Sequence, residues 1–161
     1  MRLKNQTIIS KSLCIEKISD KGDNMRNKDL IKEAMKAREN AYAPYSGFKV
    51  GAALLANSGK VYHGCNVENA AFSPGCCAER TAFVKAVSEG ERSFEKIAIV
   101  GGKDGDNAIE PCAPCGVCRQ VMMEFCEPED FLIVLANGED DQIQLTLGEL
   151  LPLGFGKGNL E

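Results

Sequence analysis

The chain has no tryptophan, a single histidine and no apolar run near the length of a bilayer span. A spanning helix requires about 20 predominantly apolar residues in a row, so no transmembrane segment is expected. Residues 1–24 are polar and lack the apolar centre of a signal peptide. The expected location is therefore the cytoplasm. Positive charge is also scarce. Nineteen Lys and Arg stand against 23 Asp and Glu, the net charge is −4 and the pI is about 5.2. Binding phosphates takes a basic face. Nucleic acid and anionic membrane are excluded as the main partners. The lone histidine, His63, is the only imidazole on which a metal site can draw.

What the chain has in quantity is cysteine, eight in 161 residues. At about 5% this falls short of the roughly 8–10% of a disulfide scaffold. A chain of about 150 residues buries roughly 70% of its unfolded surface, so it can build a core without staples. In a reducing compartment, clustered thiols more often bind metal or do chemistry.

The apolar pattern predicts one α/β domain over residues 25–161. It is preceded by an extension, 1–24, that is either flexible or a misassigned start ahead of Met25. Leu30, Ala34, Ala37 and Ala41 recur on one helical face, with Asn27 as the N-cap and Pro44 as the stop. Strands are expected over 50–56 and 60–65, joined at Asn57-Ser58-Gly59. A helix over 78–89 follows, then a short strand over 97–100, a loop over 103–114 and a helix over 117–126. Strands over 131–136 and 142–146 and a helical turn at 147–151 complete the chain. This order predicts a mixed sheet with helices on its faces. The last two strands are about five residues apart. A parallel pair needs a crossover of a dozen or more, so this final pair is antiparallel if adjacent.

Five cysteines form two clusters, each running into a helix: Cys76 and Cys77, then Cys112, Cys115 and Cys118. A C-x-x-C pair beside a third thiolate suits tetrahedral zinc, and three protein ligands leave the fourth position open for chemistry. His63 can in principle close the site instead, as can a fourth thiolate from Cys112 or Cys76. Cys112 and Cys115 also satisfy Pro-Cys-x-x-Cys. The pair Cys115 and Cys118 is preferred because Gly116 permits a tight wrap around sulfur and Cys118 leads straight into the helix. Glu79 stands two residues after Cys77, within reach of a water on a metal held there. Cys77-Ala78-Glu79 followed by Pro114-Cys115-Gly116-Val117-Cys118 is the zinc deaminase pattern in its three-cysteine form. The plainer account of Glu79 is an acidic residue favoured by the helix dipole.

With these residues in place, the chain closely resembles the small homotetrameric cytidine deaminases. The resemblance runs from about Leu30 to Gly156. It is carried by Ala43-Pro44-Tyr45-Ser46-Gly47-Phe48-Lys49-Val50-Gly51, Gly64-Cys65-Asn66-Val67-Glu68-Asn69-Ala70, Cys77-Ala78-Glu79-Arg80-Thr81-Ala82, Pro114-Cys115-Gly116-Val117-Cys118-Arg119-Gln120 and Leu150-Leu151-Pro152-Leu153-Gly154-Phe155-Gly156. Lys49 departs from a common proline and Gly154 from a common serine; neither supplies chemistry. The resemblance implies a three-layer α-β-α fold on a five-stranded mixed sheet with an antiparallel final strand pair. It also implies one Zn²⁺ per subunit, held by Cys77, Cys115 and Cys118, and hydrolysis of cytidine and deoxycytidine to uridine and deoxyuridine with release of ammonia, as in pyrimidine salvage.

The resemblance further assigns proton transfer to Glu79 and contact with the ligand sulfurs to Arg80. It gives the ribose hydroxyls to Asn66 and Glu68, the base carbonyl to the Ala78 backbone N–H and packing beside the substrate to Phe48. Phe155 is expected to reach a neighbouring subunit's site. Four of these have plainer alternatives: a solvated helix arginine for Arg80, ordinary loop polarity for Asn66 and Glu68, core packing for Phe48. In relatives acting on tRNA, DNA or nucleotides the last strands run parallel, so the antiparallel pair and the acidic pI favour a free nucleoside. Rival readings are deamination of another aminopyrimidine of the blasticidin type, a non-catalytic zinc module, and nucleic-acid editing. No specific role falls to Cys14, Cys65, Cys76, Cys112 or Cys126.

Overall fold

The computed structural model describes residues 25–105, 110–137 and 141–160. The extension 1–24, with Cys14, lies outside the described residues, as does most of the expected turn at 137–139. The described chain forms α1 (Asn27–Arg38), β1 (Phe48–Ala56), β2 (Val61–Cys65), α2 (Ala78–Ser88) and β3 (Phe94–Lys103). These are followed by α3 (Gly116–Phe125), β4 (Leu132–Asn137), β5 (Asp141–Thr146), α4 (Leu147–Leu150) and a 3₁₀ turn at Lys157–Asn159. No helix among the described residues is long and apolar enough to cross a membrane.

The five strands form one sheet in the order β2-β1-β3-β4-β5. β1 pairs antiparallel with β2 and β3, β3 runs parallel to β4 through α3, and β5 returns antiparallel to β4. The final pair is thus antiparallel, as its short connection requires. Alternation splits the sheet residues between two cores. Ala53, Leu55, Ala98, Val100, Val134 and Ala136 face α1, whose Leu30 and Ala34 cover them. Ala52, Leu54, Ile97, Ile99, Ile133 and Leu135 face the other side, under α2 and α3. Strands buried on both faces read as continuous apolar runs, which is why β3 and β4 show no alternation in the sequence.

Two glycines set how closely the helices lie. A Cβ on Gly51 of β1 would stand 2.1 Å from the Ala34 carbonyl oxygen of α1. A Cβ on Gly64 of β2 would stand 2.2 Å from the Ala78 carbonyl oxygen of α2. These residues sit diagonally across the β1–β2 ladder, and each lets a helix settle on its own face.

Several local expectations are corrected. Asn27 is not the N-cap of α1; Arg26 is, without a side-chain cap. Asn27 is the first helical residue and is buried. Its Nδ2 donates to Gln144 Oε1 at 2.7 Å, and its Oδ1 accepts from the buried Lys96 Nζ at 3.2 Å. A buried ammonium needs such a partner, and that demand outweighs capping. Ala41 lies beyond α1. The helix stops after Arg38, whose guanidinium donates to the carbonyls of Lys49 and Lys103. β3 is ten residues long rather than four, because β1 pairs with it at both ends: Phe94 and Lys96 with Ala56 and Leu55, and Gly101, Gly102 and Lys103 with Val50, Lys49 and Phe48.

Candidate active site

The N-termini of α2 and α3 meet on one face of the sheet. Cys77 is the N-cap of α2, Cys115 is the N-cap of α3, and Cys118 lies in the first turn of α3. Their sulfurs all lie within 4.8 Å of one another. Cys77 and Cys115 are 3.9 Å apart, and Cys115 and Cys118 are 3.6 Å apart. Tetrahedral zinc with Zn–S bonds of about 2.3 Å has S···S edges of about 3.8 Å. Two of the three S···S edges therefore already match those of a zinc tetrahedron, and the third is within 4.8 Å. Gly116, however, does not explain the choice of pair. A Cβ there would meet nothing within 4 Å. Convergence with Cys77 decides between Cys112 and Cys118, not room at Gly116.

Charge at this cluster is tightly balanced. The Cys77 thiol is pulled down to about 5, first by its hydrogen bond with Cys118 and further by Cys115 and Arg80. Cys118 is pushed up in turn by that same bond, by burial and by Glu79. Neighbouring thiolates oppose each other's ionisation; a dication between them deprotonates a coordinating thiol outright. Each helix N-terminus adds roughly half a positive charge beside the cluster. Arg80 donates Nη2 to the Gly75 carbonyl at 2.8 Å and bonds Cys77, while its buried Nε lacks a partner. That orphaned donor, on an arginine already bonded to Cys77, fits a site built to hold an anionic metal–thiolate group. His63 takes no part. It bonds Glu33 of α1 at 2.7 Å, away from the cluster.

Cys77 and Cys115 line a cavity of about 660 Å³, while Cys118 is buried. Glu79 also lines it, only 5% exposed, and burial raises its carboxyl above the ordinary value, with the Cys77 charge adding to the effect. Ala78, fully buried, presents the first backbone N–H of α2. Asn66 lines the wall, and both of its amide atoms engage the β1 backbone. Oδ1 accepts from Val50 N–H at 2.8 Å and Nδ2 donates to the Phe48 carbonyl at 2.9 Å. A second lone pair and a second N–H remain. Glu68 accepts from the Tyr45 and Ser46 N–H groups at 3.0 and 3.2 Å and from the Ser46 hydroxyl. The Ser46 hydroxyl oxygen accepts in turn from Phe48 N–H. Phe48 stands at the rim, 36% exposed.

The structure thus gathers the expected site residues at one cavity, with Cys118 buried in the sulfur cluster rather than lining it and Phe155 outside it. That side chain is 59% exposed and does not line the cavity; Gln120 Nε2 holds its carbonyl at 2.9 Å. Sequence reasoning missed Tyr45 and Ser46, which carry the lip through Glu68, 22 residues or more away in the chain. It also missed Phe72, at 81% exposure with φ of 51°. No local signal marks either contact. Cys112 packs against Gly101 and lines the cavity rather than the metal cluster. Cys126 is buried and pushed up to about 12 by desolvation.

Residues 25–134 match the family defined by the cytidine and deoxycytidylate deaminase zinc-binding region. A cytidine deaminase of Sporosarcina psychrophila is 53% identical over 131 residues, covering 81% of this chain and 92% of the relative. One of Halalkalibacterium halodurans is 51% identical over 78% of this chain and 91% of the relative. The crystal structure of cytidine deaminase from Burkholderia pseudomallei superposes with a TM-score of 0.73 at 51% identity, covering 81% of this chain and all of that one. Cavity, cysteine triad and buried glutamate therefore sit in a chain that belongs to the cytidine and deoxycytidylate deaminase family.

Proposed function

We propose that the chain is a zinc-dependent cytidine and deoxycytidine deaminase, releasing ammonia and the corresponding uracil nucleoside. The observation that carries this is the buried Glu79 carboxyl in a nucleoside-sized cavity that two of three convergent sulfurs also line. The cytidine deaminases cited above, at 51–53% identity, support the substrate.

Cys77, Cys115 and Cys118 hold the zinc. The chemistry zinc supplies when bound is activation of a water at neutral pH. Glu79 would accept a proton from the attacking water, pass it to N3 of the cytosine ring and deliver a proton to the departing ammonia. Burial raises the proton affinity of the Glu79 carboxyl, which favours its acceptance of the proton. The Ala78 N–H orients the base carbonyl. Asn66 offers its free amide valences to the ribose. Glu68 reaches the ribose from a carboxylate already fixed by the Tyr45 and Ser46 lip. Phe48 closes one side of the base. Arg80 neutralises the ligand thiolates.

The working domain is residues 25–161, acting in the cytoplasm as a homotetramer in which Phe155 covers a neighbour's site. Val84, Val117, Leu153 and Phe155 support this assembly, since all are more than half exposed on α2, α3 and the C-terminal segment. The decisive experiment incubates zinc-loaded protein with cytidine, deoxycytidine, cytosine and CMP, with and without a chelator, and follows ammonia. Turnover of the nucleosides alone, lost on chelation, is expected. No turnover of either nucleoside overturns the reading.

A further inference from the structure

Arg119 and Gln120 follow Cys118 in α3 and do not line the cavity. The Arg119 backbone N–H donates to the Cys115 carbonyl at 3.0 Å, as the helical ladder requires. Its side chain adds a bond the ladder does not require, Nε to the Pro114 carbonyl at 2.8 Å. Pro114 is buried and precedes the N-cap, where the helix offers its carbonyl no donor. The same guanidinium donates Nη1 to the Leu150 carbonyl at 2.8 Å, at the end of α4. That carbonyl is also one that a helix end leaves without an intrahelical partner. Gln120 then holds the Phe155 carbonyl five residues further on.

We infer that Arg119 is a positioning residue for the metal site, bridging the turn of Pro114 and Cys115 to the C-terminal segment so that zinc retention depends on how that segment is seated. The inference rests on Cys115 being a zinc ligand. The peptide plane supplies the mechanism. The Pro114 carbonyl and the Cys115 N and Cα share one rigid plane. Fixing that carbonyl fixes the Cys115 N–Cα bond, and with φ of −67° at this N-cap that sets the direction from which the Cys115 side chain leaves the backbone. Arginine suits the task because its planar fork aims several N–H donors in set directions, whereas a lysine ammonium is one point on a flexible stem.

The test follows zinc release to excess chromophoric chelator from zinc-loaded wild type, Arg119→Lys and Arg119→Ala, with hydrogen exchange at the amides of Leu151 and residues 153–156 measured on the same samples. Loss of an outer-shell partner typically costs about 10- to 100-fold in metal affinity. Zinc release about tenfold faster or more is expected in Arg119→Ala, less in Arg119→Lys, with the C-terminal amides exchanging faster in step. Gly51→Ala, on the opposite face of the sheet, reports what general destabilisation alone does. Release at the wild-type rate, or no faster than in Gly51→Ala, overturns the inference. If Arg119→Ala does not fold, Arg119→Lys carries the same test. A wild type that retains no zinc overturns the proposed function, and this inference with it.

Discussion

Glu79 combines two properties that rarely coincide in a surface acid: near-complete burial and a place two residues after a sulfur ligand. Removing its ionisation while keeping its shape separates these roles. Glu79→Gln is expected to retain zinc, measured by metal analysis, and to lose turnover by about 10²- to 10⁴-fold or more, the span of general acid–base catalysis. Retained turnover would reduce Glu79 to a helix-start acid. Glu68 illustrates a different residue-scale device. The Ser46 hydroxyl, and then the Tyr45 and Ser46 N–H groups, hold its carboxyl below the ordinary 4.5. A carboxyl with a depressed folded-state pKa stabilises the fold above its unfolded pKa, and that contribution is lost as pH falls through the folded value. The melting temperature of wild type should therefore exceed that of Glu68→Gln near neutrality. The gap should close as the pH is taken down to about 3. A gap constant with pH would remove the charge from the latch.

The site depends on where α2 lies, and α2 lies where Gly64 lets it. Gly64→Ala would set a Cβ 2.2 Å from the Ala78 carbonyl oxygen and 2.5 Å from Ala82 N, both backbone atoms that cannot swing aside. Gly51→Ala makes the same intrusion on α1. Overpacking of this kind typically costs about 1–3 kcal/mol. Both variants should melt lower, but only Gly64→Ala displaces Cys77 and Glu79. Calorimetry should then show similar losses, and metal analysis should show zinc lost from Gly64→Ala alone. Equal zinc retention would detach the site from this helix contact. The elements themselves were legible wherever a local rule governs. Apolar period and turn residues marked every strand and helix of the sheet, and the two Cys motifs marked the metal cluster. The failures came where a distant partner decides. Gly101 and Gly102 fall outside the strand expected over 97–100 but are strand residues because β1 pairs with them. Asn27 reads as a cap but answers Lys96 and Gln144, across the fold. The bonds from Glu68 to Ser46 and from Arg119 to Leu150 join residues more than 20 positions apart, and no spacing in the chain announces them.

At the scale of the whole molecule, the catalytic parts divide unevenly. Every expected group but one meets inside a single chain. Phe155 instead points away on a segment held by Gln120. The family match begins at residue 25, and Met25 packs against the α1 core, so protein starting at Met25 should fold and keep its turnover. Loss of folding on that truncation would make the extension part of the domain. A subunit-mixing experiment decides whether Phe155 serves its own site or a neighbour's. Phe155→Ala and Glu79→Gln are each prepared as crippled enzymes, then co-assembled in equal amounts. Were Phe155 to act within its own subunit, no site in any mixture would possess both groups, and activity would stay at the mean of the two parents. When it acts across an interface, a subunit with intact Glu79 meets a neighbour with intact Phe155 half the time. Since half the subunits keep Glu79, about a quarter of sites are whole in a symmetric oligomer assembled at random. Co-assembled protein should therefore recover about a quarter of wild-type turnover per site, while the same proteins mixed without subunit exchange recover none.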